Sequence, residues 1–338
     1  MKILVLQLKR IGDLILTTPA LRCLRDAFPQ AHITLASDAT CRSLLAAIPV
    51  DEHWVYEKSS GWGAFFGTGP NAWVRSDLPA FRGDWCLDFT GTDRSAWLAF
   101  SSGCQRKATF ARFRKKLLRS VVFGDFVDSP VRTRHTADHY TDLLRPLGIE
   151  RENVPLDLQL PGTALAGAAT ALAGAGVTGP YAVIHAGTAR PEKYWRPERW
   201  AEVARFLWNE HGLPSVLTGA ASPEEKAHLD AIASAADGAC VNLSGHSDLT
   251  GLAATIQGAK VFCGVDTAAM HLADAVGTPC AALFGPTNPF HWRPRHTRSV
   301  ILRADASEPF TPGQKGGPME HLTAPMMINA LRDLLAEP

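Results

Sequence analysis

The chain has 338 residues, of which 46% are apolar and 20% are charged, and its formal net charge is +1. This composition excludes a disordered chain and is typical of a globular protein long enough for about two domains. The small net charge argues against a protein that binds nucleic acid through a broad basic field. Seven scattered cysteines without a CxxC spacing predict reduced thiols in a cytosolic protein, and neither a zinc site nor a disulfide framework.

Two segments are candidates for a targeting or membrane segment. The first residues do not resemble a signal peptide, because Lys9, Arg10 and Asp13 interrupt the short apolar run after Lys2. Residues 158–189 lack Asp, Glu, Lys and Arg, but prolines and glycines break them up, whereas a spanning helix needs about 20 predominantly apolar residues. We expect a loop, a helix at residues 164–175, a turn and a strand there.

The N-terminal half begins with alternating strand and helix patterns, which indicate a parallel βαβ unit. Its predicted elements are a strand at residues 2–8, a helix at 14–28 that Pro19 kinks or divides, a strand at 32–36, a long surface loop at 58–79 and a strand at 85–89.

Residues 106–119 form an unusual basic run without a single acid. Phe110 and Phe113 are interleaved, and two leucines follow. Two interpretations remain open. The run is either a solvated face, as most charge runs are, or a site for an anionic partner or a membrane surface. Its seven basic residues are Arg106, Lys107, Arg112, Arg114, Lys115, Lys116 and Arg119.

A helix at residues 135–148 and a polar connector at 150–160 end the first half, and we place the boundary between domains 1–157 and 158–338 in this connector. The second half alternates again, which predicts a second parallel, doubly wound unit. A final helix at 324–336 has an apolar stripe for core packing, here or back on the first domain. The other elements are strands at 181–186, 215–218, 259–265 and 280–284, and helices at 197–211, 223–235 and 268–276.

Residues 264–275 read as the end of a strand, a tight turn and a helix. The free N–H groups at the start of such a helix favour an anion, and open α/β sheets bind ligands at the carboxyl ends of their strands. In the alternative interpretation, Asp266 and Thr267 only cap the helix of a structural turn.

Two further loops carry candidate chemistry. Asp13 follows the first strand, where a carboxylate is either a general base, worth about 10²–10⁴ in rate, or a partner of the helix dipole. Thr188 follows a strand and a glycine, in a loop suited to phosphate. Lys193 either neutralises charge on a leaving phosphate or is solvated. The chain lacks GxGxxG and GxxxxGK[ST], which argues against a dinucleotide oxidoreductase and a P-loop enzyme.

In their order and spacing, several motifs resemble the heptosyltransferases of lipopolysaccharide core assembly, glycosyltransferase family 9, nearly from end to end. The motifs are Ile11-Gly12-Asp13 with Thr18-Pro19-Ala20-Leu21, Leu147-Gly148-Ile149, Lys193-Tyr194-Trp195-Arg196-Pro197 with Glu198-Arg199-Trp200, Leu217-Thr218-Gly219, Leu243-Ser244-Gly245, Val265-Asp266-Thr267 with Met270-His271-Leu272-Ala273, and Gly277-Thr278-Pro279 with Phe284-Gly285-Pro286-Thr287.

The resemblance implies the GT-B class, an α/β fold with two Rossmann-like, doubly wound parallel-sheet domains that face a central cleft. The first domain is expected to bind the acceptor and the second the nucleotide sugar. The implied reaction is an inverting, metal-independent transfer of heptose from ADP-heptose to the lipid A–Kdo inner core, without a cofactor. Such an enzyme would be cytoplasmic and peripheral at the cytoplasmic face of the inner membrane, with an anionic glycolipid acceptor and no nucleic-acid partner.

The resemblance also implies roles for residues that match the family motifs. Asp13 would be the general base. In the donor site, Thr188 and Lys193 would hold the diphosphate, and Lys193 would offset charge on the departing ADP. Asp266 would contact sugar hydroxyls, and phosphate would be bound by Thr267, Ala268 and His271. Met270 would lie beside adenine, and Glu224, or alternatively Glu225, would contact the ribose.

The chain departs from the family pattern at two positions. Gln7 stands where some members have a lysine near the acceptor, and Ala268 replaces a more usual glycine. We therefore expect the acceptor contacts to come from Lys9, Arg10, Arg112 and Lys115. Two alternatives stay open: a GT-B enzyme with a UDP- or GDP-linked donor, and an inactive nucleotide-sugar-binding protein. The presence of both Asp13 and Lys193 argues against the second.

Overall fold

A computed structural model of the chain describes residues 1–58, 67–305, 309–314 and 316–336. These residues form two compact units, Met1–Gln159 and Leu160–Pro338, which divide inside the polar connector. Each unit contains one six-stranded parallel sheet and its own helices. No helix in the described ranges is long and apolar enough to cross a membrane.

In the first unit, the central strand is completely buried from Ile3 to Leu6, because helices cover both faces of a parallel sheet. The strands are β1 Lys2–Gln7, β2 His32–Asp38, β3 Glu52–Tyr56, β4 Trp85–Asp88, β5 Arg106–Phe110 and β6 Asp125–Val127. The helices are α1 Ile11–Ile15, α2 Thr18–Ala27, α3 Asp77–Phe81, α4 Asp93–Ser101, α5 Leu117–Val122 and α6 Thr136–Asp142, with 3-10 turns at Ala39–Ala47, Gly69–Val74, Ala111–Phe113, Val131–Thr133 and Arg145–Leu147.

The helix predicted at residues 14–28 is divided, and Pro19 lies in the first turn of α2, where its missing N–H costs nothing. Thr17 precedes α2 but does not cap it with its side chain. Instead, the Thr17 hydroxyl donates to the carbonyl of Asp13 at 2.8 Å and accepts from Gln7 Nε2 at 2.7 Å. The break therefore ties the end of β1 to the helix that carries Asp13.

The structure also bears on two other expectations for this unit. Of the loop predicted at 58–79, residues 59–66 lie outside the described ranges, and the rest includes a 3-10 turn and the start of α3. The basic run is not one face: it comprises β5, a 3-10 turn and the start of α5. Acids from elsewhere balance its ends, Asp125 with Arg106 at 2.7 Å and Asp93 with Arg119 at 2.9 Å.

In the second unit, the final helix packs on α8 and on three neighbouring strands, and its apolar stripe belongs to the core of this unit. The strands are β7 Ala182–His185, β8 Ser215–Thr218, β9 Cys240–Asn242, β10 Val261–Val265, β11 Cys280–Phe284 and β12 Ser299–Arg303. The helices are α7 Gly162–Gly174, α8 Pro197–His211, α9 Pro223–Ala235, α10 Leu249–Gln257, α11 Ala268–Ala275, α12 Pro289–Trp292 and α13 Ala324–Ala336, with 3-10 turns at Pro191–Lys193 and Met319–His321.

The two sheets share one topology. The first has the order β3-β2-β1-β4-β5-β6 and the second β12-β11-β10-β7-β8-β9. Each is a doubly wound sheet whose strand order reverses between two central strands, β1 and β4 in the first and β7 and β10 in the second. Two Rossmann-like units, as predicted for the GT-B class, are thus confirmed. The loops at the carboxyl ends of these four strands are the expected ligand sites.

Candidate active site

The switch point of the second unit holds a buried ion pair. Lys193 lies in the 3-10 turn that follows β7, and Asp266 follows β10. The Lys193 Nζ donates to Asp266 Oδ2 at 2.7 Å and to the Asp266 carbonyl at 2.8 Å. Both side chains are almost completely buried. The pair therefore fixes an ammonium group where the loops after β7 and β10 meet.

The start of α11 lies immediately after this pair. Thr267 occupies the N-cap position, but its hydroxyl makes no capping bond. The Thr267 Oγ1 and, after β11, the Thr287 Oγ1 are buried without a hydrogen-bond partner in the described part of the chain. A buried unsatisfied hydroxyl costs about 1–3 kcal/mol. Together with the free N–H groups of the first turn and Lys193, these hydroxyls suit a polar, anionic ligand.

A buried carboxylate lies beside the loops that follow β7 and β8. It is the carboxylate of Glu225 and not that of Glu224. Glu225 Oε2 accepts from the Ala220 N–H at 2.7 Å, whereas the Glu224 side chain is exposed. A Cβ on Gly187 would lie 2.2 Å from this oxygen, so a larger residue there would displace the Glu225 carboxylate from this position. The side chain is fixed because α9 begins at Pro223 and turns Glu225 inward beneath the Ser222 cap.

The other predicted donor residues differ in their accessibility. Thr188 is buried in the loop after β7, and His271 is buried on α11. Ala268 is half-buried at the first turn of α11. Met270 exposes none of its surface and packs in the core, and its contact with an adenine stays a prediction.

The switch point of the first unit contains Asp13 on α1. Tyr140 of α6 donates its hydroxyl to Asp13 Oδ1. Lys9 Nζ lies 3.4 Å from the Tyr140 hydroxyl and 5.2 Å from the centre of its ring. Gln7, at the end of β1, also lies beside this hydroxyl. Asp13 is therefore held by a buried tyrosine in a fixed orientation beside an ammonium group.

Burial shifts the pKa values of the groups around Asp13. It lowers the pKa of Lys9, with a further lowering by Arg112 that the carboxylates of Asp13 and Asp88 oppose. Burial raises the pKa of Asp88 to about 6, against hydrogen bonds from Gly91, Ser95 and Thr90 that lower it. Burial also lowers the pKa of Arg112, and Tyr140 and Asp13 counter this effect. Arg112 thus acts electrostatically on the same carboxylate.

A cavity of about 720 Å³ opens beside Asp13. Four of its side chains are cationic and one is a carboxylate, so its chemistry suits an anionic, hydroxyl-rich molecule. Of the predicted acceptor residues, Lys9 and Arg10 line it, whereas Arg112 and Lys115 do not. The lining residues are Leu8, Lys9, Arg10, Asp13, Lys58, Thr90, Thr92 and Arg94.

Several of these residues escaped the sequence analysis. Tyr140 is 127 residues from Asp13, and nothing in the helix pattern at 135–148 marks it as a partner of that carboxylate. Thr90 and Thr92 follow β4, and a reading of every predicted strand end for hydroxyls would have found them. Lys58 and Arg94 had no local signal that distinguishes them from surface residues.

Comparisons with known proteins show which family the chain resembles. The family model for glycosyltransferase family 9 (heptosyltransferase) matches residues 75–319. Lipopolysaccharide heptosyltransferase 3 of Escherichia coli K12 is 26% identical over 292 residues, which are 86% of this chain and 84% of that protein. The solved glycosyl transferase family 9 protein of Veillonella parvula superposes with a TM-score of 0.85 at 25% identity, covering 100% of this chain and 97% of its own. The E. coli ADP-heptose LPS heptosyltransferase II superposes at 0.80 and 22% identity, covering 100% and 99%. Since the family match covers well over half of the chain, the protein belongs to glycosyltransferase family 9.

Proposed function

We propose that this protein transfers heptose, with inversion and without a metal ion, from ADP-heptose to the lipid A–Kdo inner core of lipopolysaccharide. The observation that carries the proposal is the Lys193 ammonium, fixed by Asp266 at the start of α11, beside a Thr267 hydroxyl that has no hydrogen-bond partner among the described residues. This combination of a cation, free N–H groups and hydroxyl donors suits the oxygens of a sugar diphosphate.

At the donor end, the diphosphate oxygens accept hydrogen bonds from the first turn of α11 and from Thr188. Lys193 offsets the negative charge that grows on ADP as the bond to the sugar breaks, so it stabilises the transition state more than the ground state. Asp266 contacts sugar hydroxyls. Glu225, and not the expected Glu224, accepts hydrogen bonds from the ribose hydroxyls. Gly187 leaves room for the Glu225 carboxylate.

At the acceptor end, Asp13 removes the proton of the acceptor hydroxyl while that oxygen bonds to the anomeric carbon. The bond between the anomeric carbon and the diphosphate breaks on the opposite side, and ADP leaves. Tyr140 orients the carboxylate. Lys9 and Arg10, with Arg112 nearby, bind the phosphates and acidic sugars of the acceptor, which is a glycolipid of the inner membrane reached from its cytoplasmic face.

The proposal is tested with ADP-heptose and a panel of truncated inner-core acceptors, read by mass spectrometry. We expect one acceptor to gain a single heptose with release of ADP. Asp13→Ala should lower turnover by about 10²–10⁴ and leave ADP affinity unchanged. Asp26→Ala is the matched control, because Asp26 is a half-exposed acid of the same unit, 3.6 Å from Arg151.

Three results would contradict the proposal. Wild-type turnover in Asp13→Ala would remove this residue from the mechanism. Stronger thermal stabilisation by UDP or GDP than by ADP, with transfer from the corresponding sugar, would replace the donor. Nucleotide binding with neither transfer nor slow donor hydrolysis would identify a binding protein.

A further inference from the structure

The first unit exposes a group of large apolar side chains. Leu117 and Val121 are 82% and 75% exposed, and Leu118 and Phe100 are 40% and 59% exposed. Leu117 and Val121 are one helical turn apart on α5 and share a face. Phe100 lies on α4, which packs against α5. Scattered exposed apolar residues are ordinary, but four on two contacting helices form a patch.

The opposite side of the same segment fixes this orientation. Val122 and Phe123 belong to the buried core cluster of the first unit. Rotating α5 to hide Leu117 would therefore pull Val122 out of the core. The exposure of the patch is imposed by the fold.

Exposed cations adjoin the patch. Arg114, Lys115 and Lys116 directly precede α5 and are exposed. The Arg114 guanidinium lies 5.2 Å from the ring centre of Phe126. In the described ranges, neither Lys115 nor Lys116 forms an ion pair, unlike Arg119 at the far end of the run. An apolar face bordered by unpaired lysines is the composition of interfacial membrane-binding segments.

We propose that Phe100, Leu117, Leu118 and Val121, with Arg114, Lys115 and Lys116, form a docking surface that inserts into the headgroup region of an anionic phospholipid bilayer. The apolar side chains lose contact with water, and the cations remain at the level of the lipid phosphates. The proposal rests on the proposed function, since a glycolipid acceptor is presented by a bilayer. It also assigns Lys115 to lipid phosphates, in place of the acceptor site that it does not line.

Vesicle flotation of the full chain tests the surface. We expect binding to phosphatidylcholine vesicles that contain phosphatidylglycerol and little binding to phosphatidylcholine alone. Leu117→Gln/Val121→Gln should lower the partition coefficient by about 100-fold, at roughly tenfold per side chain. Lys115→Gln/Lys116→Gln should lower it by about 25-fold, at roughly fivefold per lysine.

The matched control is Leu165→Gln/Met326→Gln, which changes two exposed apolar residues of the second unit and should bind as wild type does. Circular dichroism and thermal midpoints establish that each variant is folded. The proposal is overturned if wild type binds neither vesicle, if it binds both equally, or if the patch and control variants bind alike. A dimer in sedimentation velocity that dissociates in Leu117→Gln/Val121→Gln, without vesicle binding, would make the face a contact between copies instead.

The same variants separate this inference from the proposed function. Leu117→Gln/Val121→Gln should transfer heptose to a delipidated, soluble acceptor at the wild-type rate, whereas Asp13→Ala should bind vesicles normally. Vesicle binding that follows these expectations without any transfer would overturn the proposed function alone. Transfer without patch-dependent vesicle binding would overturn the docking surface alone.

Discussion

Replacing Lys193 by Met should destabilise the second unit far more than replacing Arg332 by Met, although each change breaks one ion pair. The Lys193 and Asp266 side chains are each 10% exposed, and their charged atoms are 2.7 Å apart. Arg332 and Glu210 are each 51% exposed, at 3.0 Å. A buried carboxylate without its cation costs about 3–5 kcal/mol. An exposed pair contributes at most about 1 kcal/mol, because water and salt screen it.

Native-state hydrogen exchange, followed by mass spectrometry, measures this difference by region. Peptides that cover β7 and β10 should lose about 3–5 kcal/mol of protection in Lys193→Met, while peptides that cover β1 should be unchanged. Lys193→Met/Asp266→Asn should recover part of the lost protection, because it leaves no buried carboxylate without a cation. The reasoning is refuted if Lys193→Met and Arg332→Met differ by less than about 1 kcal/mol, or if the double variant recovers nothing.

The same series separates the structural role of Lys193 from its chemical role. Turnover should fall by about 10²–10³ in Lys193→Met, as for the loss of one preorganised charge stabiliser. The double variant should remain equally slow although it is more stable. Recovery of turnover together with stability would show that Lys193 only supports the fold.

Three further predictions follow from the geometry. Tyr140→Phe should lower kcat by roughly tenfold with little change in ADP affinity, because the carboxylate of Asp13 loses one hydrogen bond; steady-state kinetics and ADP titration check this. Glu225→Ala should weaken ADP binding by about tenfold and Glu224→Ala should not, measured by calorimetry, and equal effects would contradict the assignment of the ribose contact. Burial lowers the pKa of His185 to about 4, from an ordinary value near 6.5. Between about pH 6.5 and 4 the unfolded chain binds a proton at His185 and the folded protein does not. The free energy of unfolding is therefore highest above about pH 6.5 and falls by about 3 kcal/mol as the pH drops towards 4. Urea unfolding at several pH values should show this loss in wild type and a smaller loss in His185→Gln, and parallel profiles would contradict it.

The sequence alone predicted two doubly wound units and placed Lys193 and Asp266 on loops at strand ends. It also placed Asp13 in the loop before the first helix, whereas the structure has Asp13 in the first turn of α1. These predictions rest on local properties, since buried parallel strands are continuous apolar runs and helix starts have their own residue preferences. The strands that escaped prediction in the second unit, β9 and β12, lie at the edges of the sheet. Half-buried edge strands have a weak hydrophobic pattern.

Only the tertiary structure decided which side chains meet. It joined Tyr140 to Asp13 and Lys193 to Asp266 across long stretches of chain. It turned Glu225 inward and left Glu224 exposed, because neighbouring residues on a helix point in directions about 100° apart and the packing of α9 decides which one faces inward. A contact between distant residues depends on the strand order, and no local pattern of residues encodes that order.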